Sequence, residues 1–593
     1  MTNGKVGSIL AVDCGSTTTK AVLLDVVDGQ YRFVARGQVP STTGAPWHDV
    51  TVGIYHAVYE ITVCTGRSLV NENGQLIVPE GGAGQGVDIL IATVSAGPPL
   101  RVVIAGLSSD VSLESARRAA RGTYSHPASQ IAMDEPERRN DEKRLQLVQN
   151  VQPDVILLVG GIDGGATKPV MDLAQLMVLA AQLEAERPPI IFAGNIALRS
   201  QIADIVGEQV ELRAVDNVRP TLDTENLGPA QAELEQVFRE IAVARLPGLS
   251  MLQKYSLGEV LPTALGFGHV VRYLDRLNGV PRYGVLGIDI GGMTTTVAAA
   301  RDERFSLTVV TELGVGASVG QLLRRVPIEQ ISRWLPEDVD PEQVQSLVMN
   351  KALRPWTVPQ TEEDFLIEQA VTREVISLAL DESRGGWPFW QRRSSPVVNQ
   401  IIGSGSVLCH APSPGHAALM LLDTIQPAFW TARLAVDKTG VLPALGALAT
   451  VKPVAATQIL EKDGLLELGS VISPMGIARH GRKVLSFRVK SAMGAYEGDV
   501  RFGSLERIIL PSGQKAVLEL RPTRRFDLGV GPGKGVRVEA WGGAVGVIID
   551  ARGRPLVWPE REKSRQAALR QWLRELGAWA SPLPDLSEQL GES

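Results

Sequence analysis

The segment "ILAVDCGSTTTKA" at residues 9 to 21 returns 276 positions later as "VLGIDIGGMTTTV" at 285 to 297. Leu10 aligns with Leu286, Asp13 with Asp289, Gly15 with Gly291, and Thr18 and Thr19 with Thr294 and Thr295. In each copy an apolar run ends in an aspartate, crosses a short polar loop with glycine, and enters a second apolar run, the pattern of a strand, a turn and a strand. A spacing this long is not a solenoid period. It predicts two homologous domains facing each other, each carrying one version of the same device.

The rest of the chain fits around that pair. "GSILAVD", "TKAVLLDVVDG" and "YRFVARGQVP" read as a three-stranded meander, and "HDVTVGIYHAVYEITVCTG" has the apolar spacing of a helix. From Asp88 the pattern alternates strand and helix ("VDILIATVSAG", "RVVIAGL", "SLESARRAARG", "PDVILLVGG", "PPIIFAG"), which predicts α/β structure with a largely buried sheet. The charge run "DEPERRNDEKR" (134–144) reads as a solvated helix start. After Val451 short strands with Gly/Pro turns take over, ending in the amphipathic "SRQAALRQWLRELGAW". The expected units are a domain I over 1–255 with an α/β insertion at about 88–245, a domain II over 256–450, and a β-rich C-terminal domain with a terminal helix over 451–593.

At 593 residues the chain is long enough for roughly three to four domains. A formal net charge of −6 lacks the broad basic footprint of a nucleic-acid binder, so no nucleic-acid partner is expected. Cys14, Cys64 and Cys409 lie too far apart for a disulfide framework or a zinc site, and the seven histidines form no ligand cluster. No segment reaches the ~20 apolar residues of a membrane span and none reads as a signal peptide, so a cytoplasmic protein without membrane contact is expected.

A hairpin loop of this composition offers successive backbone N–H groups and hydroxyls, and its glycine lets an anion approach the backbone, so it can cradle phosphate. Lys20 adds a point charge. Asp13 and Asp289 leave their strands just before the loops, where a carboxylate can hold a hydrated Mg²⁺. A single such loop is equally a threonine-rich hairpin turn; its repetition in register favours two loops gripping one polyphosphate.

Other features carry two readings. "GVGPGKG" (529–535) lacks the spacing and the final hydroxyl of a P-loop and reads as a turn. "GSGS" (403–406) ends an apolar strand and can admit a ribose or adenine edge against the backbone, as can "VGGIDGG" (159–165). Cys14 reads as a small packing residue. Trp387, Phe389 and Trp390 beside Arg392 and Arg393 form either a partner surface or a set of aromatics pinning a long loop.

"VDCGSTTTK" resembles the first phosphate motif of the actin, Hsp70 and sugar-kinase superfamily, "GIDIGGMTTTV" the second, and "QIIGSGSVL" the adenosine motif, in the order of that superfamily. Within it, "STTGAPWHDV", "SAGPPLRVVIAGLSSDVSLESARRAARG", "PDVILLVGGIDGG" and "IFAGNIALR" look like the MutL (GlmL) family of accessory proteins found with cobalamin-dependent glutamate mutase. The similarity covers roughly residues 8 to 450.

The resemblance implies two ribonuclease-H-like domains with ATP·Mg²⁺ in the cleft. Gly15, Ser16, Thr17, Thr18 and Lys20 would hold phosphates from one side, and Gly291, Gly292 and Thr294 from the other. Gly403 and Gly405 would approach the nucleoside, and Asp13 and Asp289 would position Mg²⁺ through water. Met293 replaces a usually small residue and Thr296 an aspartate, while Glu312 in "TELGVG" is the candidate for orienting the attacking water. The function expected is an ATP-dependent accessory or reactivating factor for a cobalamin-dependent mutase, with slow, partner-stimulated hydrolysis. The competing expectations are a small-molecule kinase of the same fold and a nucleotide-gated binding module that does not hydrolyse.

Overall fold

The computed structural model describes residues 7–579 except 83, 136–139, 279–282, 388–396 and 493. Strand β1 (Ile9–Cys14) is buried along its whole length. It needs its continuous apolar run because it lies inside a sheet, antiparallel to β2 (Thr18–Val27) and parallel to β4 (Ile89–Val94), with β3 (Gln30–Pro40) beyond β2. The helix Val50–Thr65 begins at Asp49, whose side chain accepts from the Thr51 N–H, and covers one face of this sheet.

The insertion starts after β4, later than expected, because β4 belongs to the first sheet. Strands β5 (Leu100–Gly106), β6 (Ser125–Ala132), β7 (Val155–Leu158), β8 (Ile190–Phe192) and β9 (Leu212–Ala214) form a separate sheet in the order β6-β5-β7-β8-β9, with every neighbour parallel. Successive residues feed two different cores: Val103, Ala105, Ile156 and Leu158 go to one face, and Val102, Ile104, Val155 and Leu157 to the other. Helices on both faces explain why these strands read as uninterrupted apolar runs. The charge run at 134–144 lies partly outside the described residues; its later part opens the helix Asp141–Val151, with Asn140 as its cap.

The chain then returns to the first sheet through β10 (Leu261–Pro262) and enters the helix Thr263–Asn278. Strands β11 (Gly284–Ile290), β12 (Thr295–Arg301), β13 (Arg304–Val310) and β14 (Val398–Ser404) repeat the opening device. β11 pairs antiparallel with β12 and parallel with β14, and β13 lies outside β12. The order β4-β1-β2-β3 thus recurs as β14-β11-β12-β13. These are the two ribonuclease-H-like halves of the expected α/β fold. β15 (Phe429–Asp437) extends the second sheet, and the helix Leu442–Val451 follows it.

That helix crosses the helix Thr263–Asn278 at glycines. A Cβ on Gly446 would lie 1.7 Å from the Gly266 carbonyl oxygen, and one on Gly266 would lie 2.3 Å from that of Pro443. Any side chain there would separate the two helices where the halves join.

The stretch from 451 onward divides. β16 (Leu465–Ser473) pairs with β15, so the second sheet runs on into this region through β22 (Gly546–Asp550) and β19 (Leu505–Ile508). Between them β17 (Lys483–Ser491), β18 (Gly494–Arg501), β20 (Lys515–Pro522) and β21 (Val536–Trp541) form an antiparallel sheet ordered β18-β17-β20-β21. The terminal helix Glu562–Glu575 buries Leu569, Trp572 and Leu573 against the second half. A buried ionic network ties the regions together. Arg552 meets Asp550 at 2.8 Å and Asp423 at 2.6 Å, Arg554 meets Asp550 at 2.7 Å, and Arg373 meets Asp423 at 2.7 Å.

Candidate functional site between the two hairpins

The two repeated turns close with the same hydrogen bond. The Gly15 N–H donates to the Thr18 carbonyl at 3.0 Å, and the Gly291 N–H to that of Thr294 at 2.8 Å. The turns meet tip to tip: a Cβ on Gly292 would fall 2.1 Å from Thr17 Oγ1. That hydroxyl is enclosed and has no hydrogen-bond partner. Beside the contact lies a cavity of about 870 Å³ lined by Asp13, Gly15, Ser16, Thr17, Thr18 and Lys20 from one half and by Asp289, Gly291, Gly292, Met293, Thr294 and Thr296 from the other. The segment 312–318 braces the second turn from behind, the N–H groups of Val315 and Gly316 donating to the carbonyls of Gly291 and Gly292 at 3.0 and 2.9 Å.

Charge concentrates at the cavity floor. Thr93 and Thr263 both donate hydroxyls to Asp13 Oδ1, at 2.8 and 2.7 Å. Burial pushes the Asp289 carboxyl up to about 6, against the pull of Lys20 and a Ser404 hydrogen bond. Burial alone would lower the Lys20 ammonium, but Asp13, Asp289, Cys409 and Asp437 outweigh it and hold the group above its ordinary value. In register, Lys20 sits opposite Asp13, whereas the matching partner of Asp289 is Thr296.

Two expected residues are elsewhere. Gly403 does not line the cavity: it lies within β14, where a Cβ would meet Leu408 Cδ1 at 2.6 Å, so its bareness serves helix packing. Gly405 is the residue of that loop at the cavity. Its φ of +103° suits glycine, and a Cβ there would strike the Ile290 carbonyl oxygen at 2.1 Å. Glu312 faces away and lies 3.6 Å from His126 of β6, so the water-orienting assignment fails. "VGGIDGG" follows β7 in the insertion and contributes nothing to the cavity lining. In "GVGPGKG" the N–H groups of Gly529 and Gly531 are taken by Asp527, at 2.7 and 2.9 Å, as a turn requires. Trp387 is a core residue whose indole N–H donates to Ser383; Phe389, Trp390, Arg392 and Arg393 lie outside the described residues. Cys14 is fully buried, and burial raises its thiol.

Sequence reasoning missed Asp437. This fully buried carboxylate accepts the N–H groups of Thr439 (3.2 Å), Gly440 (2.8 Å) and Val441 (3.1 Å) on one oxygen, and that of Leu442 (3.1 Å) on the other. Burial dominates and raises its pKa despite those bonds. The signal was legible: "DKTGVLPALG" is an aspartate turn leading into a helix with proline in its first turn. Tyr124 was also missed. It reaches the cavity from the insertion, and its hydroxyl donates to the carbonyls of Ser95 (3.1 Å) and Gly97 (3.0 Å), the former also taking the Ser16 hydroxyl at 2.7 Å. The far wall comes from residues 355–366, with Trp356 half exposed and Phe365 edge-on to His416 at 5.4 Å.

Comparison with known proteins agrees with this reading of the chain. Residues 9–464 match the family described as MutL protein. The Protein MutL of Clostridium tetanomorphum is 25% identical over 496 residues, which span 76% of this chain and 98% of that relative. Among solved structures, nucleotide-free acetone carboxylase is 12% identical over 84% of this chain and 81% of its own, with a TM-score of 0.33. A diol dehydratase-reactivating factor in nucleotide-free form is 10% identical over 77% of this chain and 99% of its own, with a TM-score of 0.29. With three quarters of its length inside the match, the chain belongs to the MutL protein family.

Proposed function

We propose that this protein binds ATP with Mg²⁺ in the cavity between the hairpins and acts as an ATP-hydrolysing accessory or reactivating factor for a cobalamin-dependent mutase of the glutamate-mutase type. The observation that carries this is the pair of turns meeting in register beside one cavity, with Lys20 held cationic among three carboxylates. The residues suit the group. Thr17 presents an enclosed hydroxyl without a partner, and both hydrogen bonds to Asp13 fall on Oδ1, leaving Oδ2 for a hydrated cation.

In this reading Gly15, Ser16, Thr18 and Lys20 hold the phosphates from one side and Gly291, Gly292 and Thr294 from the other, while Gly405 and the Phe365–His416 corner face the nucleoside. Mg²⁺, when bound, would offset phosphate charge, with Asp13 and Asp289 as its anchors through water. In this reading Asp289 is also the carboxylate that accepts a proton from an attacking water.

A small-molecule kinase is favoured by one observation: the side-chain oxygen of Gln38, beside Lys20 in the same cavity, is enclosed without a partner and could accept a hydrogen bond from a substrate hydroxyl. Steady-state phosphate release decides between the readings. The accessory-factor reading expects slow turnover by the protein alone and stimulation by a purified cobalamin-dependent mutase. Stimulation by a small hydroxylated compound, with a phosphorylated product, overturns it.

A further inference from the structure

One end of the antiparallel sheet β18-β17-β20-β21 carries a concentration of positive charge that the rest of that sheet avoids. Arg479 and Arg482 precede β17, Arg501 ends β18, Arg521 is the next-to-last residue of β20, and Arg524, Arg525 and Lys534 lie in the loop that follows. The backbone draws them together. The Arg482 N–H donates to Arg479, the Phe502 N–H to Arg482 and the Thr523 N–H to Val484, and Gly533 sits against the Arg524 backbone. All seven side chains are exposed, and among the described residues none is in an ion pair. Further along the same strands the pattern is the opposite, with Arg488, Lys490 and Lys515 each facing a carboxylate on the neighbouring strand, while at the patch itself Lys483 is paired with Asp499. A sheet that pairs Arg488, Lys490 and Lys515 and leaves seven exposed cations near one end without an ion pair among the described residues has that end available to an acidic partner.

Two details choose the partner's class. The glycine loop in this patch has its Gly529 and Gly531 N–H groups closed onto Asp527, so the backbone donors that a phosphate would need are taken. Two residues before Arg479, Ile477 is 64% exposed. An exposed apolar side chain in the same stretch as exposed arginines is the composition of a protein interface, not of a phosphate track. The chain as a whole carries −6, so the patch is a local reversal of sign that orients an acidic partner toward this end.

We propose that this end of the sheet docks an acidic protein surface with an apolar side chain at its centre, the surface belonging to the client mutase; the identity of the client rests on the function proposed above. The family match stops at residue 464, before β16 begins, so the contact lies on a part of the chain outside the matched region.

The test is binding of a purified cobalamin-dependent mutase to the full chain at rising salt. Wild type is expected to bind with an affinity that falls as salt rises. The triple variant Arg521→Glu, Arg524→Glu, Arg525→Glu is expected to bind about 100-fold more weakly with unchanged ATP affinity, and Arg488→Glu, at a paired site, to behave as wild type. Arg524→Ala, a milder change, is expected to lose part of the affinity in the same direction. Equal binding by wild type and the triple variant overturns the patch and leaves the client standing. No binding by wild type overturns the client and the patch together. Salt-sensitive binding of a DNA or RNA oligomer that the triple variant loses, without an effect on the mutase, overturns the assignment to a protein partner.

Discussion

At the scale of single residues, the cavity turns on groups whose environment sets their charge or backbone. Asp289 is protonated more readily in the folded chain than in the unfolded one, so between about pH 4 and 6 the native state binds the extra proton and loses stability as pH rises. Asp289→Asn should remove that part of the slope, seen as a difference between variant and wild-type urea stability across the window. Mg²⁺-dependent ATP affinity, which favours the ionised carboxylate, should rise through about pH 6 in wild type and stay flat in the variant. The two glycines of the "GSGS" loop should separate cleanly. Gly405→Ala combines a left-handed backbone with a backbone clash and should cost on the order of 3 kcal/mol together with nucleotide affinity. Gly403→Ala presses only on Leu408 and Leu421 and should cost about 1–3 kcal/mol while leaving nucleotide affinity intact. Urea titration and calorimetry check both.

At the scale of elements, the strand that ends in Asp437 and the helix it starts form one working part. The carboxylate accepts four successive N–H groups, Thr439 to Leu442, of the turn that leads into the helix Leu442–Val451, and it also sits among the charges around Lys20. Asp437→Ala should destabilise the fold by about 1–3 kcal/mol through turn donors left without their acceptor, measured by urea unfolding. The hairpins were legible in sequence because Asp13 and Asp289 each end an apolar run before a glycine turn, a local pattern that survives without tertiary knowledge. The parallel insertion was legible for the same reason. What escaped depends on contacts distant in the chain. Glu312 has the right neighbours in sequence, yet the strand before it leaves its side chain toward His126. Gly403 differs from Gly405 only by the alternation of β14 and the turn that follows, which a short motif cannot resolve. Tyr124 reaches the site from another sheet altogether. The continuation of the second sheet through β16, β22 and β19 was hidden because the strands are separated by the whole of the β17–β21 sheet.

At the scale of the molecule, the buried network of Arg373, Asp423, Asp550, Arg552 and Arg554 anchors the terminal region to the second half. Asp550 accepts from two fully buried guanidinium groups, which hold its carboxyl far below the usual range despite burial. Asp550→Ala would leave both cations without their shared counter-charge and should cost about 3–5 kcal/mol, read as an earlier urea midpoint with unchanged nucleotide affinity in the folded fraction. By linkage, the stability this carboxylate supplies is present above the ordinary carboxylate range and is lost only in strong acid. The repeated hairpins bear on a different question, that of direction. Two equal turns related by a pseudo-twofold axis would accept a ligand end for end, with no preference for which terminus entered which half. Lys20 in the first hairpin and Thr296 at the matching place in the second break that symmetry, and so the cleft has a polarity: its cationic side is that of the first hairpin.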